Sequence, residues 1–274
     1  MYRAASYLEK NELYKSEDYI APRLLPGLIK FLVKYELINF NWAFFPKGIY
    51  EYVIARTKYI DHIFKESIEN GIDQILIFGA GFDSRAVRFA EKNMKTKIFE
   101  LDSLHTQTAK IKQYRKRGIS IPQNTIFIPI DFNVDSLSEK LELNGFKRNK
   151  TTLFILEGIT MYLNKEAVDE LFKLIYELAV PESRVIFDYI YASVLRRENI
   201  YYGEKDIYRR VNSVQEPWLF GIEKGGMEAF LKNYNFQLIQ NLNSEDLEKM
   251  FFRNESGNVV ARINGTHCIA YIEK

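Results

Sequence analysis

The chain is short of cysteine, histidine, unbalanced charge and long apolar runs, and each shortage removes a class of function. Its one cysteine, Cys268, excludes an internal disulfide or a thiolate metal cluster, as befits a reducing compartment. Set in the apolar run His267–Tyr271, it reads as a packed thiol. The three histidines, His62, His105 and His267, are scattered without H-x-x-x-H spacing, so no metal site is expected. No G-x-S-x-G nucleophile elbow occurs, which argues against covalent hydrolase chemistry.

Thirty-eight basic against 36 acidic side chains leave +2, too balanced for the broad positive field of nucleic-acid binders. The basic run Lys110–Arg117 reads as a solvated helix face, and His105 as a surface residue near a helix start. The most apolar early segment, Leu24–Val33, is broken by Pro26, Gly27 and Lys30 and is shorter than the roughly 20 residues of a membrane span. Met1-Tyr2-Arg3-Ala4-Ala5 leads into charged residues and does not read as a signal peptide, so a cytoplasmic protein without a membrane partner is expected. There is no repeat and no flexible linker, and 47% hydrophobic content supports one core spanning residues 1–274.

What is present is an alternation of strand and helix. Strand-like runs fall at Gln74–Phe78, Thr96–Phe99, Thr125–Ile130, Thr152–Leu156 and Arg184–Tyr189, with Phe236–Ile239 and His267–Ile272 near the end. Helical periodicity fills Ile49–Ile68, a segment opened by Asn164 and closed before Pro181, and Met227–Tyr234. The pattern predicts an α/β fold with a doubly wound, mostly parallel seven-stranded sheet whose C-terminal end is antiparallel. Asn264-Gly265 reads as the turn of a closing hairpin. The aperiodic stretch 191–221, rich in Tyr, Arg and Glu, reads as an inserted helical cap over the site.

The sharpest local signal is Ile75-Leu76-Ile77-Phe78-Gly79-Ala80-Gly81-Phe82-Asp83-Ser84-Arg85. An apolar strand enters Gly79 and Gly81, where missing Cβ atoms permit a tight turn and close approach of a ligand, and a helix with free N–H groups is expected to follow from Asp83 or Ser84. By itself a G-x-G does not separate a ligand turn from glycines kept for packing. The next strand ends in Glu100-Leu101-Asp102, where Asp102 is placed to accept both ribose hydroxyls; Glu100 either helps or is an exposed strand-end carboxylate. Asp131, after Ile128-Pro129-Ile130, is placed for an adenine amino group or for capping a turn, and Leu156-Glu157-Gly158 enters the same crevice. Together these point to an adenosine-containing ligand. A nicotinamide dinucleotide would usually require a third glycine where this chain has Asp83-Ser84-Arg85.

These residues, with Ala55-Arg56-Thr57-Lys58 and Leu156-Glu157-Gly158-Ile159-Thr160-Met161-Tyr162-Leu163, resemble the leucine carboxyl methyltransferase-like family of class I, Rossmann-like S-adenosylmethionine-dependent methyltransferases, including microbial O-methyltransferases. The resemblance runs from about Asp18 to about Ile239. It implies S-adenosyl-L-methionine as cofactor, with Arg56 on the methionyl carboxylate, Gly79, Ala80 and Gly81 at the turn, Asp102 on ribose, Asp131 and Phe132 about adenine, and Glu157 at the amino-acid end. Arg85 reads as an internal salt bridge or a further ligand contact.

The implied reaction is methylation of a carboxylate or hydroxyl oxygen, on a small molecule or a protein C-terminal carboxylate; base methylation lacks an Asn-Pro-Pro-Tyr type motif. Residues 1–48 and 191–221 would form the acceptor pocket, with Tyr162, Tyr201, Tyr202, Arg209 and Trp218 as acceptor-orienting candidates. An NAD(P)-dependent oxidoreductase and a catalytically silent adenosine-ligand-binding regulatory protein are the alternative readings. The oligomeric state is not legible.

Overall fold

A computed structural model describes residues 1–35, 45–92, 95–131, 134–213 and 217–274. Seven strands form one sheet: β1 Gln74–Phe78, β2 Lys97–Asp102, β3 Thr125–Pro129, β4 Thr152–Leu156, β5 Arg184–Ile190, β6 Gln237–Leu242 and β7 His267–Glu273. Their order is β3-β2-β1-β4-β5-β7-β6. The strands from β3 to β5 pair in parallel, while β7 runs antiparallel between β5 and β6. This is the mostly parallel sheet with antiparallel C-terminal pairing that the sequence predicts.

β1 and β4 are buried along their whole length, as expected of central parallel strands covered on both faces. Alternation along β1 sends Ile75 and Ile77 to one core with Tyr52, Ile60 and Phe64 of the helix Ile49–Glu69. Leu76 and Phe78 face the other core, with Phe172 and Ile175 of the helix Lys165–Leu178. That second helix begins where Asn164 Oδ1 accepts the Ala167 amide at 2.8 Å, satisfying one of the N–H groups its first turn leaves open. The chain winds outward from β1 to β3 and then crosses to β4 on the other side of β1, so a crevice opens at the carboxyl ends of β1 and β4.

Among its described residues, the stretch 191–221 contains two helices, Ala192–Leu195 and Glu204–Ser213. It rejoins the sheet where Tyr191 bridges Ile222 and Leu219 N donates to Met161 O at 2.7 Å. The expected hairpin at Asn264-Gly265 is not formed. β6 and β7 are separated by the helix Ser244–Phe251, and Asn264 instead clamps the start of the helix Ile49–Glu69. Its backbone N donates to Gly48 O and its Nδ2 to Lys47 O, both at 2.9 Å, while Gly265 N is taken by Tyr202 O. Among the described residues no helix is long and apolar enough to cross a membrane.

Candidate active site

The turn after β1 is built as its glycines require. Gly79 and Gly81 have φ of +52° and +47°, and a Cβ on Gly79 would lie 3.0 Å from Ile159 Cδ1, just beyond β4. Asp102, at the end of β2, holds this turn: Oδ2 accepts the Gly81 amide and Oδ1 the Ser103 amide, both at 2.7 Å. The expected helix is only the single turn Arg85–Arg88. Asp83 Oδ1 takes the Arg85 amide at 2.7 Å, so that N–H does not face a ligand.

Behind the turn lies a buried ionic network. Arg85, with no exposed surface, reaches Asp61 through Nε and Glu157 through Nη1, each at 2.8 Å, and Nη1 also pairs with Asp83. Its reading as an internal salt bridge is therefore the one realised. Arg88 adds a two-pronged contact to Asp61, at 2.6 and 2.8 Å. Arg56, on the helix Ile49–Glu69, points Nη1 at Asp188 Oδ2, 2.5 Å away, and Nε at Glu157 Oε1, 3.2 Å away. Burial pushes the Glu157 carboxyl up, but Arg85 and then Arg56 outweigh it and hold the carboxyl far below the usual range.

Two cavities meet at Gly79. One of about 310 Å³ is lined by Arg3, Arg56, Gly79, Gly81, Asp83 and Glu157, with Ala80 also on its wall. The other, of about 830 Å³, is lined by Gly79, Asp102, Ile130, Asp131, Asp135 and Leu163. The structure thus gathers Arg56, Gly79, Ala80, Gly81 and Glu157 at one end and Asp102 with Asp131 at the other. Phe132 lies outside the described residues.

Arg3, which the sequence reading passed over, lines the first cavity, and its Nη2 donates to Phe82 O at 2.8 Å. Nothing in its local sequence marks it, since the contact spans 79 positions. Glu100 is not an exposed strand-end carboxylate. It is buried beneath the helix Leu104–Lys116, with Lys110 Nζ 2.5 Å from Oε2. Its burial pushes the carboxyl up to about 7 against the pull of Lys110. The basic run is thus only in part a solvated face, because Lys110 and Tyr114 turn inward.

The acceptor-side candidates do not converge. Tyr162 is exposed after a short turn beyond β4, and Arg209 is exposed, 3.8 Å from Asp206. Tyr201 stacks on Tyr191 with centroids 4.7 Å apart, and Tyr202 packs beneath Arg262. Trp218 alone approaches the ionic end: its ring stands edge-on to His267 at 5.3 Å, and His267 lies 4.3 Å from Tyr52, which neighbours Arg56. The Trp218 indole nitrogen is buried without a hydrogen-bond partner. Among the described residues, no group of three or more His, Cys, Asp or Glu side chains is arranged to hold a metal ion.

The leucine carboxyl methyltransferase family model matches residues 17–176. The chain is 25% identical over 208 residues to the "Putative S-adenosyl-L-methionine-dependent methyltransferase YktD" of Bacillus subtilis, covering 76% of this chain and 68% of that protein. A "Putative S-adenosyl-L-methionine-dependent methyltransferase" of Mycobacterium sp. (strain JLS) is 30% identical over 164 residues, 60% of this chain and 51% of that one. The chain therefore spans about half the length of this mycobacterial relative. Among solved structures, a "putative methyltransferase" from Thermobifida fusca YX shares the fold over 100% of this chain and 94% of its own, with TM-score 0.60 and 14% identity. A duf574 family protein from Streptomyces avermitilis does so over 100% and 96%, with TM-score 0.57 and 12% identity. With its doubly wound sheet and glycine turn, the chain belongs to the leucine carboxyl methyltransferase family of class I S-adenosylmethionine-dependent methyltransferases.

Proposed function

We propose that the chain is an S-adenosylmethionine-dependent O-methyltransferase acting on a carboxylate or hydroxyl oxygen of a small molecule. The observation that carries the cofactor part of this reading is the pair of dissimilar cavities that share Gly79 in their walls. The end holding Arg3, Arg56 and Glu157 suits a zwitterionic amino acid, the guanidiniums meeting its carboxylate and Glu157 its ammonium. The end holding Asp102 and Asp131 suits an adenosine, with Asp102 on the ribose hydroxyls, Asp131 on the adenine amino group and, by family resemblance, Phe132 on the ring. The glycine turn gives the ligand backbone room between them.

A pyrophosphate fits poorly here. The helix after the turn is four residues long, its Arg85 amide is occupied by Asp83, and the carboxylates of Asp83 and Glu157 line the cavity that a dinucleotide phosphate would enter.

When bound, the cofactor supplies an activated methyl group: the acceptor oxygen's electron pair forms the new C–O bond as the C–S bond breaks and its electrons return to sulfur. The chain's own part is to bind, align and exclude water. A carboxylate acceptor is already ionised at neutral pH and needs no general base, and the family's name supports carboxyl chemistry. Residues 1–48 and 191–221 are the proposed walls of the acceptor pocket, with Trp218 the candidate nearest the ionic end.

The test is calorimetric titration with S-adenosylmethionine, S-adenosylhomocysteine and NAD(P), followed by methyl-labelled turnover against a panel of carboxylic acids and alcohols. Binding of the first two, with unfolding stabilised by about 2.7 kcal/mol at a hundredfold excess over Kd, is expected. Stabilisation by NAD(P) alone overturns the cofactor assignment, and binding without turnover across the panel favours a silent adenosine-binding protein.

A further inference from the structure

Asp188, near the carboxyl end of β5, is fully buried, and both of its oxygens serve the ionic end of the site. Oδ2 accepts Arg56 Nη1 at 2.5 Å and the Tyr52 hydroxyl at 3.0 Å, while Oδ1 accepts the Gly158 amide at 2.5 Å. Gly158 adopts φ of +69°, and a Cβ there would lie 3.5 Å from Arg56 Nη1. One carboxylate therefore sets the direction of the guanidinium and also the backbone turn that follows Glu157. The other partner of Arg56 is less directive: Nε lies 3.2 Å from Glu157 but makes no aligned hydrogen bond.

We propose that Asp188 is a positioning residue for the cofactor: it touches no ligand, and it acts through Arg56, whose guanidinium it fixes in the geometry that receives the amino-acid end. This rests on the S-adenosylmethionine reading above. The chemistry makes the role specific to a carboxylate. Each Asp188 oxygen faces an N–H donor, so an asparagine satisfies only one side and turns its own NH₂ either on Arg56 or on the Gly158 amide.

The experiment is a double-mutant cycle read by calorimetric titration with S-adenosylhomocysteine, on proteins whose circular dichroism and thermal transition are retained. Asp188→Asn is expected to weaken binding by about tenfold or more. In an Arg56→Ala background the same change is expected to cost less than about threefold, because the group being positioned is gone. A folded Asp188→Asn protein with affinity within about twofold of wild type overturns the proposal, as does an equal loss in both backgrounds, which is the signature of general structural damage.

Should Asp188→Asn fail to fold, Tyr52→Phe serves as the second variant. It removes one hydrogen bond from Asp188 and keeps the charge, and a loss of about threefold is expected; unchanged affinity overturns the proposal. A wild-type chain that binds neither S-adenosylmethionine nor S-adenosylhomocysteine overturns the cofactor reading itself, a failure distinguished by being present before any substitution.

Discussion

The two ends of the crevice solve the problem of placing carboxylates in opposite ways. At the ionic end Glu157 and Asp83 are met by guanidiniums of the chain, Arg85 above all, whose side chain is wholly buried. At the open end Asp102 is held by two backbone amides and remains partly accessible, and Asp131 is exposed. Desolvating the charges of the ionic end is a cost of folding; at the open end much of that cost falls on binding. Substitution of Arg85, which is wholly buried behind the first end, should therefore register mainly in stability, and of Asp102 at the second mainly in affinity.

Arg85→Met offers the largest expected effect. It leaves Asp61, Asp83 and Glu157 short of a shared buried partner, and removing one member of a buried pair costs about 3–5 kcal/mol. Urea unfolding measures it. A loss below about 1 kcal/mol would mean that water reaches the network and that the contrast between the ends fails.

Asp102→Ala probes the other end. It is expected to weaken S-adenosylhomocysteine binding by about 1.5–3 kcal/mol, the worth of a hydrogen bond to a charged group, with a smaller effect on unfolding from the lost Gly81 contact. Unchanged affinity in a titration removes the ribose assignment. Equal losses in stability and affinity would make Asp102 chiefly a clamp on the glycine turn.

The same contrast explains what was legible in the sequence. β1 and β4 end where the apolar runs do and begin one residue before them, because central strands buried on both faces leave a continuous hydrophobic signature. Gly79, Gly81 and Asp102 stand at strand ends, where local pattern and chain order suffice to locate them. The ionic end depends on pairings between distant residues. Arg56 meets Asp188 across 132 positions, and only family resemblance drew attention to it on an otherwise ordinary amphipathic helix. Asp188 and Arg3 carried no signal at all. Glu100 was misread because its partner, Lys110, sat in what looked like a solvated basic run. Asn264-Gly265 was misread because dipeptide preference knows nothing of Lys47, whose carbonyl claims the asparagine amide from 217 positions away.

His267 sharpens the comparison through pH, with the smallest expected effect. It is buried against Tyr52 and Trp218, with Nδ1 2.8 Å from Thr266 Oγ1. Burial, and then the charge of Arg56, push its pKa down from 6.5 to about 3. A group whose pKa is depressed by folding is neutral in the native state down to that lower value, whereas the unfolded chain takes up a proton below about pH 6.5. The stability it contributes is therefore fully present above pH 6.5 and is lost as pH falls toward 3. His267→Phe keeps an aromatic ring between Tyr52 and Trp218 and removes the titration. Between pH 6.5 and 4.5, urea unfolding of the wild type should lose up to about 1.4 kcal/mol per pH unit more than the variant does. Parallel curves would show that His267 takes up its proton in the folded protein as readily as in the unfolded chain. The core beside Arg56 would then be wet, and the division between a dry ionic end and a hydrated open end would have to be redrawn.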